Sequence, residues 1–257
     1  MIHGSCPEGR IRRQPCRMTT ALVTGATRGI GRETTRRLAA LGWTVWLGAR
    51  DPEAGDEVAA EIATEIATEN PGADLRVVQL DVTDDASVAA AARTVEDAGT
   101  GLDVLINNAG IGGRFVPPRE STVADFIAVY GVNVLGPIRV TSAFLRLLDE
   151  SSAARLVMVS TGVGSLTHAN DPEHPYYALN GLPYPSSKTA LNMITAQYAK
   201  ALPGIRVCAV DPGWTATDFT HHQGTQTVSE GTDAIIEAAS AASIPGIFFN
   251  RDGVVPW

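Results

Sequence analysis

Tyr184 and Lys188 are the residues in this 257-residue chain with the clearest capacity for chemistry. They stand four apart in a run with helical spacing, which places both side chains on one helix face. An isolated phenol, with a pKa of about 10, is a poor acid or base near neutrality. A neighbouring ammonium favours the phenolate and lowers that pKa, so the pair is suited to moving a proton to or from a substrate oxygen. A second site-forming stretch is Thr24-Gly25-Ala26-Thr27-Arg28-Gly29-Ile30-Gly31. It lies between an apolar run and a helical pattern, so it reads as strand, tight turn, helix. Glycines at 25, 29 and 31 let the backbone turn sharply and approach a ligand. The helix that follows would aim free N–H groups and its positive end at a phosphate. The spacing is G-x-x-x-G-x-G rather than the common G-x-G-x-x-G.

The elements that must position these residues follow from the pattern after Met18. Apolar runs at 20–24, 44–49, 75–80, 103–107, 155–160, 205–210 and 246–250 predict strands. Helical stretches at about 29–41, 53–69, 84–98, 122–149, 184–202 and 229–242 alternate with them. The strands are continuous apolar runs, as expected when helices cover both faces. Repeated β-α-β order predicts a single-domain α/β fold, a doubly wound parallel sheet of about seven strands with right-handed crossovers. The tandem Glu61-Ile62-Ala63-Thr64 and Glu65-Ile66-Ala67-Thr68 keeps both isoleucines near one helix face and reads as a lengthened surface helix. Residues 1–17 carry four arginines, two prolines and little apolar pattern, and lack the apolar centre of a secretory signal. They are expected to be a flexible tail before a domain spanning 18–257.

Composition narrows the partners. A hydrophobic fraction of 44%, a charged fraction of 19% and a net charge of −8 describe a soluble globular chain. They argue against nucleic acid, which calls for a concentrated basic face. No apolar run approaches the roughly 18–20 residues of a bilayer span, so no membrane partner is expected. Cys6, Cys16 and Cys208 have no metal-ligand spacing, and no metal is expected. Cys208 reads as a small core residue, and a reducing cytoplasm is the expected location.

Five pieces in one order carry a family resemblance over essentially all of 19–257. They are the turn from Thr24 to Gly31, Asp81-Val82, Asn107-Asn108-Ala109-Gly110, Tyr184-Pro185-Ser186-Ser187-Lys188 and Pro212-Gly213. In that order they resemble the short-chain dehydrogenase/reductase family. Each piece follows a predicted strand or begins a helix at the carboxyl end of the sheet, where such folds bind ligands. The resemblance implies a nicotinamide dinucleotide held by Gly25, Thr27, Gly29, Ile30 and Gly31 at its pyrophosphate. Asp81 and Val82 would meet the adenine. The backbone from Asn107 through Ala109 and Gly110 would lie against a ribose, which Lys188 would also bond. Pro212, Gly213, Thr215 and Thr217 would meet the nicotinamide, Thr217 being at the family's usual position. Tyr184 is then the acid/base, its pKa lowered by Lys188 and by the positive oxidised nicotinamide. Asn133, a polar residue inside an apolar helix, would anchor a water that supplies Lys188 with protons.

Two positions depart from the family pattern or tune it. The run Val159-Ser160-Thr161 places Thr161 where the family carries a substrate-binding Ser, with Ser160 as the alternative. A threonine offers the same donor and acceptor but is stiffer at χ1 and crowds the substrate. In the second strand Ala49 stands where NAD-using members carry an Asp, and Arg50 follows. With Arg28 inside the turn, two guanidiniums could hold a 2′-phosphate, so NADP(H) is favoured. The segment 162–183, with His168, Asp171, His174, Tyr176 and Tyr177, is longer than in the shortest members, as are the carbonyl-reductase-like ones. Phe248, Phe249 and Trp257 near the C-terminus resemble the same branch. His221 and His222 fall in the segment where the family keeps its substrate lid and read as rim residues. The expected activity is NADP(H)-dependent reduction of a small ketone or aldehyde, or the reverse oxidation of an alcohol. Alternatives are a ketoreductase acting on 3-oxoacyl or polyketide chains and a weakly catalytic NADPH-binding regulator. A homodimer or homotetramer is implied, and the inserted loop before Tyr184 leaves a monomer open.

Overall fold

Side chains of successive strand residues point to opposite faces, so continuous apolar runs need helices on both sides of a sheet. That is the arrangement in the computed structural model, which describes residues 18–257. The expected tail, 1–17, lies outside the described residues. The strands are β1 (Thr20–Thr24), β2 (Thr44–Ala49), β3 (Asp74–Gln79), β4 (Val104–Asn107), β5 (Arg155–Val159), β6 (Arg206–Val210), β7 (Phe248–Asn250) and β8 (Gly253–Val254). They form one sheet in the order β3-β2-β1-β4-β5-β6-β7-β8. The first seven are parallel, and β8 returns antiparallel on β7. The two-residue β8 exceeds the seven strands expected. Its alternation is too short to read from the sequence.

The helices are α1 (Gly29–Ala40), α2 (Pro52–Glu65), α3 (Asp85–Asp97), α4 (Val123–Tyr130), α5 (Gly136–Asp149), the short α6 (Leu166–Ala169), α7 (Pro183–Ala201) and α8 (Val228–Ser240). Strand β1 shows how they divide the core. Ala21 and Val23 face a layer with Leu38, Ile62, Ile66 and Ile235, while Leu22 faces one with Phe144, Leu148 and Leu191. The tandem repeat behaves as expected at its isoleucines: Ile62 and Ile66 are both fully buried. The helix nevertheless ends at Glu65, before the predicted residue 69.

The single helix predicted over 122–149 is interrupted. A π-helical turn, Gly131–Leu135, separates α4 from α5 and contains Asn133. Taken as one continuous helix, Val123–Asp149 is 27 residues long and apolar enough by composition to cross a bilayer. This corrects the expectation that no segment reaches that length. Within the fold, Val140, Phe144, Leu147 and Leu148 of this helix pack into the core beneath the sheet.

Side-chain caps mark most helix starts. Asp51 accepts from the Glu53 N–H for α2, Asp84 caps α3, and capping boxes built on Thr122–Asp125 and Thr227–Glu230 open α4 and α8. Helix α1 differs: Arg28 at its N-cap makes no side-chain cap, and its first turn has no acidic residue.

Candidate active site

The turn after β1 depends on its glycines. Gly25 and Gly29 have φ of +63° and +52°, in the region disfavoured for residues with a Cβ. A Cβ at Gly31 would sit 2.2 Å from the Gly25 carbonyl oxygen, so only glycine lets α1 start this close to the turn. Asn108 holds the turn in place. Its side-chain amide donates to the carbonyls of Thr24 (2.9 Å) and Gly25 (3.2 Å), while its N–H and that of Ala109 both donate to the Thr24 hydroxyl at 2.9 Å. This bracing role of Asn108 was not drawn from the sequence. The signal was present: a second Asn at the end of a strand adjacent to the glycine turn has unmet backbone groups within reach. Asn107 is turned the other way. Its buried side chain donates to the Thr141 hydroxyl (3.1 Å) and the Met158 sulfur (3.4 Å), which leaves the 107–110 backbone to line the crevice.

Around the turn, the predicted nucleotide contacts gather from several loops. Thr217 packs on the glycine turn, since a Cβ at Gly29 would lie 3.4 Å from its Cγ2. Thr215 is buried, and its hydroxyl donates to the Pro212 carbonyl at 3.1 Å, holding its own loop together. Asp81 sits just past β3, with one carboxylate oxygen accepting from the N–H and hydroxyl of Thr83. Those bonds, from the Thr83 hydroxyl foremost, lower its pKa, with smaller help from the Arg50 and Arg139 charges. Val82 beside it is buried. Arg28 and Arg50 are exposed, and neither forms an ion pair with another described residue. A surface pairing of Arg50 with Asp51 or Glu53 does not form; Asp51 caps α2 instead.

The proton-transfer candidates meet at the start of α7. Lys188 is buried, donates from Nζ to the Val159 carbonyl at 2.8 Å, and lies 5.9 Å from the Tyr184 ring centroid. An ammonium has three donors, so two N–H bonds remain for other partners. A Cβ at Gly110 would lie 3.7 Å from Nζ and 3.4 Å from Asn133 Oδ1, which places the loop after β4 beside both. Asn133 is fully buried and bonds reciprocally with the Ile111 backbone, at 2.9 Å in each direction. Its amide also donates to the Ser187 hydroxyl at 3.1 Å, so this side chain joins the π turn, the β4 loop and α7.

Burial pushes the Lys188 pKa down to about 8, with Asp211 acting weakly in the opposite sense. The lowering expected for Tyr184 counted on both Lys188 and a bound oxidised nicotinamide; within the chain itself the balance runs the other way. Burial first, then the charges of Asp211 and Tyr176, raise its pKa above the ordinary phenol value instead of lowering it. Desolvation is the largest influence on the phenol, and Lys188, whose Nζ bonds the Val159 carbonyl, is not among the groups that shift it.

Ser160 and Thr161 separate clearly. The Ser160 side chain is buried and its hydroxyl donates to Asn192 Oδ1 at 2.5 Å. Thr161 is partly exposed, and its Oγ1 accepts from the Val163 N–H at 3.3 Å, leaving its proton free to donate. The inserted segment forms α6 and a 3₁₀ turn, Pro175–Ala178. The Trp257 carbonyl ties it down by accepting from Thr167 N (3.0 Å) and Oγ1 (2.6 Å). Over Tyr184 lies Phe219, with ring centroids 5.5 Å apart. His221 and His222 follow it with φ of +50° and +57°, exposed, and His222 pairs with Asp218 at 3.1 Å. Among the described residues no group of three or more His, Cys, Asp or Glu is placed to hold a metal.

A parallel sheet with its order reversing at β1 and a glycine turn there is the Rossmann type of architecture, in which ligands bind at the crevice where the order reverses. The family profile described as short chain dehydrogenase matches residues 19–227. The chain is similar to the short-chain dehydrogenase anuI of Penicillium roqueforti, 36% identical over 88% of this chain and 90% of that one. It is 32% identical to (+)-neomenthol dehydrogenase of Arabidopsis thaliana, over 91% of this chain and 96% of that one. Among solved structures, NADPH-bound carbonyl reductase from chicken fatty liver superposes with a TM-score of 0.79, at 33% identity and with 94% of this chain and all of that one covered. The chain belongs to the short-chain dehydrogenase/reductase family and resembles its carbonyl-reductase members.

Proposed function

We propose that this protein transfers a hydride between NADP(H) and a small carbonyl or alcohol compound, acting chiefly as a reductase of apolar ketones or aldehydes. The observation that carries the reading is the meeting of Tyr184, Lys188 and the 110–111 loop beside the braced glycine turn. The fit to a dinucleotide rests on that turn, on an α1 whose first N–H groups have no side-chain cap, and on two guanidiniums, Arg28 and Arg50, that form no ion pair among the described residues. The NADPH of the chicken carbonyl reductase is consistent with it. When bound, the reduced nicotinamide supplies the hydride.

The chain's own groups supply position and a proton. Thr161 donates a hydrogen bond to the substrate oxygen, and Tyr184 delivers the proton as charge develops on that oxygen. Lys188 orients a ribose with its two remaining N–H bonds, and Asn133 fixes the loop against which that ribose lies. Burial raises the Tyr184 pKa, which suits the reductive direction, in which it acts as an acid. Phe115, 63% exposed and close to Gly181, and Phe219, 49% exposed over Tyr184, give the mouth an apolar rim. That rim supports small apolar substrates over a carrier-bound chain. The test is consumption of NADPH and, in parallel, NADH against a panel of ketones and aldehydes. Turnover that favours NADPH and is lost in Tyr184→Phe is expected; tight NADPH binding without turnover of any carbonyl would overturn the reading in favour of a regulatory binding protein.

A further inference from the structure

Asp211 is a buried carboxylate at the carboxyl end of β6 for which the reaction above has no use; it is 4% exposed. Its backbone is fixed, with its N–H donating to Phe249 O at 2.9 Å. Its side chain joins two loops of the site. Oδ1 accepts from the Gly213 N–H at 2.9 Å, and the Gly162 N–H also bonds to the carboxylate. Gly162 follows Thr161 directly, and Gly213 opens the loop that leads to Thr215 and Thr217. The inserted segment arrives at the same point. A Cβ at Gly162 would lie 2.8 Å from Tyr176 Cε2, 3.0 Å from Asp211 Oδ2 and 3.4 Å from His168 Nδ1. His168 stacks on His174 with centroids 3.9 Å apart, and His174 Nδ1 accepts from the Tyr176 N–H at 3.2 Å. Three chain segments, distant in sequence, thus converge on one carboxylate, whose charge is felt at Tyr184 and Lys188.

We propose that Asp211 is a positioning residue for proton transfer: its carboxylate ties the Thr161 turn to the Pro212-Gly213 turn, and the inserted loop covers that tie with Tyr176 and His168. The inference rests on the assignment of Tyr184 and Thr161 above. A carboxylate in this place does two things. It fixes the Thr161 hydroxyl relative to the loop that flanks the cofactor, where a displacement of about 1 Å can cost on the order of 100-fold in rate. It also acts electrostatically on the groups that face it: Tyr184 and Lys188 from α7, Tyr176 from the 3₁₀ turn and His168 from α6. The far side of Asp211 borders a crevice lined by Asp252 and the Arg251–Glu230 pair. Burial pushes the Asp211 pKa up, against the Gly213 and Gly162 N–H bonds that favour the carboxylate; in its ionised form it raises the pKa of both Tyr184 and Lys188, so neutralising it lowers both. The alkaline limb of the reduction profile then moves to lower pH.

The experiment uses the full-length enzyme, NADPH and the carbonyl compound that the wild type turns over fastest. Asp211→Asn keeps the shape but removes the charge. It should lower kcat by about 10- to 100-fold, leave the NADPH Kd within about threefold, and shift the alkaline limb of kcat downward. Asp211→Glu keeps the charge but displaces the tie, so kcat should fall with the limb in place. Tyr176→Ala, a loop change that opens the tie to water, should lower kcat several-fold and serves where Asp211→Asn does not accumulate as folded protein. Wild-type kcat and an unmoved limb in Asp211→Asn, or losses in all three variants that merely follow the folded fraction, would overturn the proposal. Tyr184→Phe run alongside separates the two layers. If that variant stays active, the assignment of Tyr184 fails; if it is inactive while Asp211→Asn is unaffected, only the role of Asp211 fails.

Discussion

Replacing Arg28 by alanine tests cofactor choice with little risk to the fold. Arg28 is exposed, caps nothing and pairs with no described residue, so its removal leaves no buried group unsatisfied. What it would contribute is a charge-assisted hydrogen bond to a 2′-phosphate, worth about 1.5–3 kcal/mol. Solvent exposure favours the lower end, about 1.5 kcal/mol, which is roughly a tenfold loss in NADPH affinity. Arg50 likewise pairs with no described residue and would act on the same phosphate, so the double variant should lose less than the product of the single losses. NADH, which lacks that phosphate, should bind Arg28→Ala within about twofold of the wild type. The assay is titration of reduced-cofactor fluorescence, repeated at low and high salt. The NADPH affinity of the wild type should weaken with salt more than that of the variant. Equal loss of NADPH and NADH, or loss of neither, would refute the reasoning.

Further outcomes follow from the same geometry. Ser160→Ala deprives Asn192 Oδ1 of its buried donor and should cost about 1–3 kcal/mol of stability with turnover largely kept, as thermal melting and kcat will show. Thr161→Ala should instead lower kcat by about 100-fold or more, far beyond the small drop in melting temperature from its lost bond to the Val163 N–H, and Thr161→Ser should restore both. Lys188, with its pKa pushed down to about 8 by burial, binds fewer protons folded than unfolded between that value and its ordinary 10.5. Stability should therefore rise with pH across that window, because the unfolded chain holds the extra proton. The buried charge costs on the order of 3 kcal/mol at neutral pH, so Lys188→Met should melt higher at pH 7 while losing turnover. A lower melting temperature would show that the bond to Val159 outweighs burial.

Much of this is legible in the sequence because the fold is periodic and local. Runs such as Ala21-Leu22-Val23 declare strands covered on both faces, and the glycines of the β1 turn declare a close approach. The tight step at Gly31 and the left-handed turns at Gly25 and Gly29 follow from residue type alone. Other features depend on what a side chain meets far away in sequence, and no local pattern carries that. Asn107 and Asn108 look interchangeable, yet one enters the core and the other braces the turn, 83 residues from Gly25. Spacing places an ammonium near Tyr184 but does not show that burial acts on the phenol in the opposite sense. The π turn at Asn133 replaces a continuous helix where a buried polar side chain must reach the Ile111 backbone. Ser160 and Thr161 became distinguishable only when Asn192, 32 residues on, was seen to claim the Ser160 hydroxyl.

The central claim is that a hydride moves to a carbonyl carbon while Tyr184 supplies the proton. NADPH deuterated at the transferable C4 position, incubated with the enzyme and its best ketone, tests it most directly. One deuterium is expected at the carbinol carbon of the alcohol product by mass spectrometry, and none formed by Tyr184→Phe at comparable cofactor occupancy. An unlabelled alcohol, or labelled product from Tyr184→Phe at the wild-type rate, would contradict it.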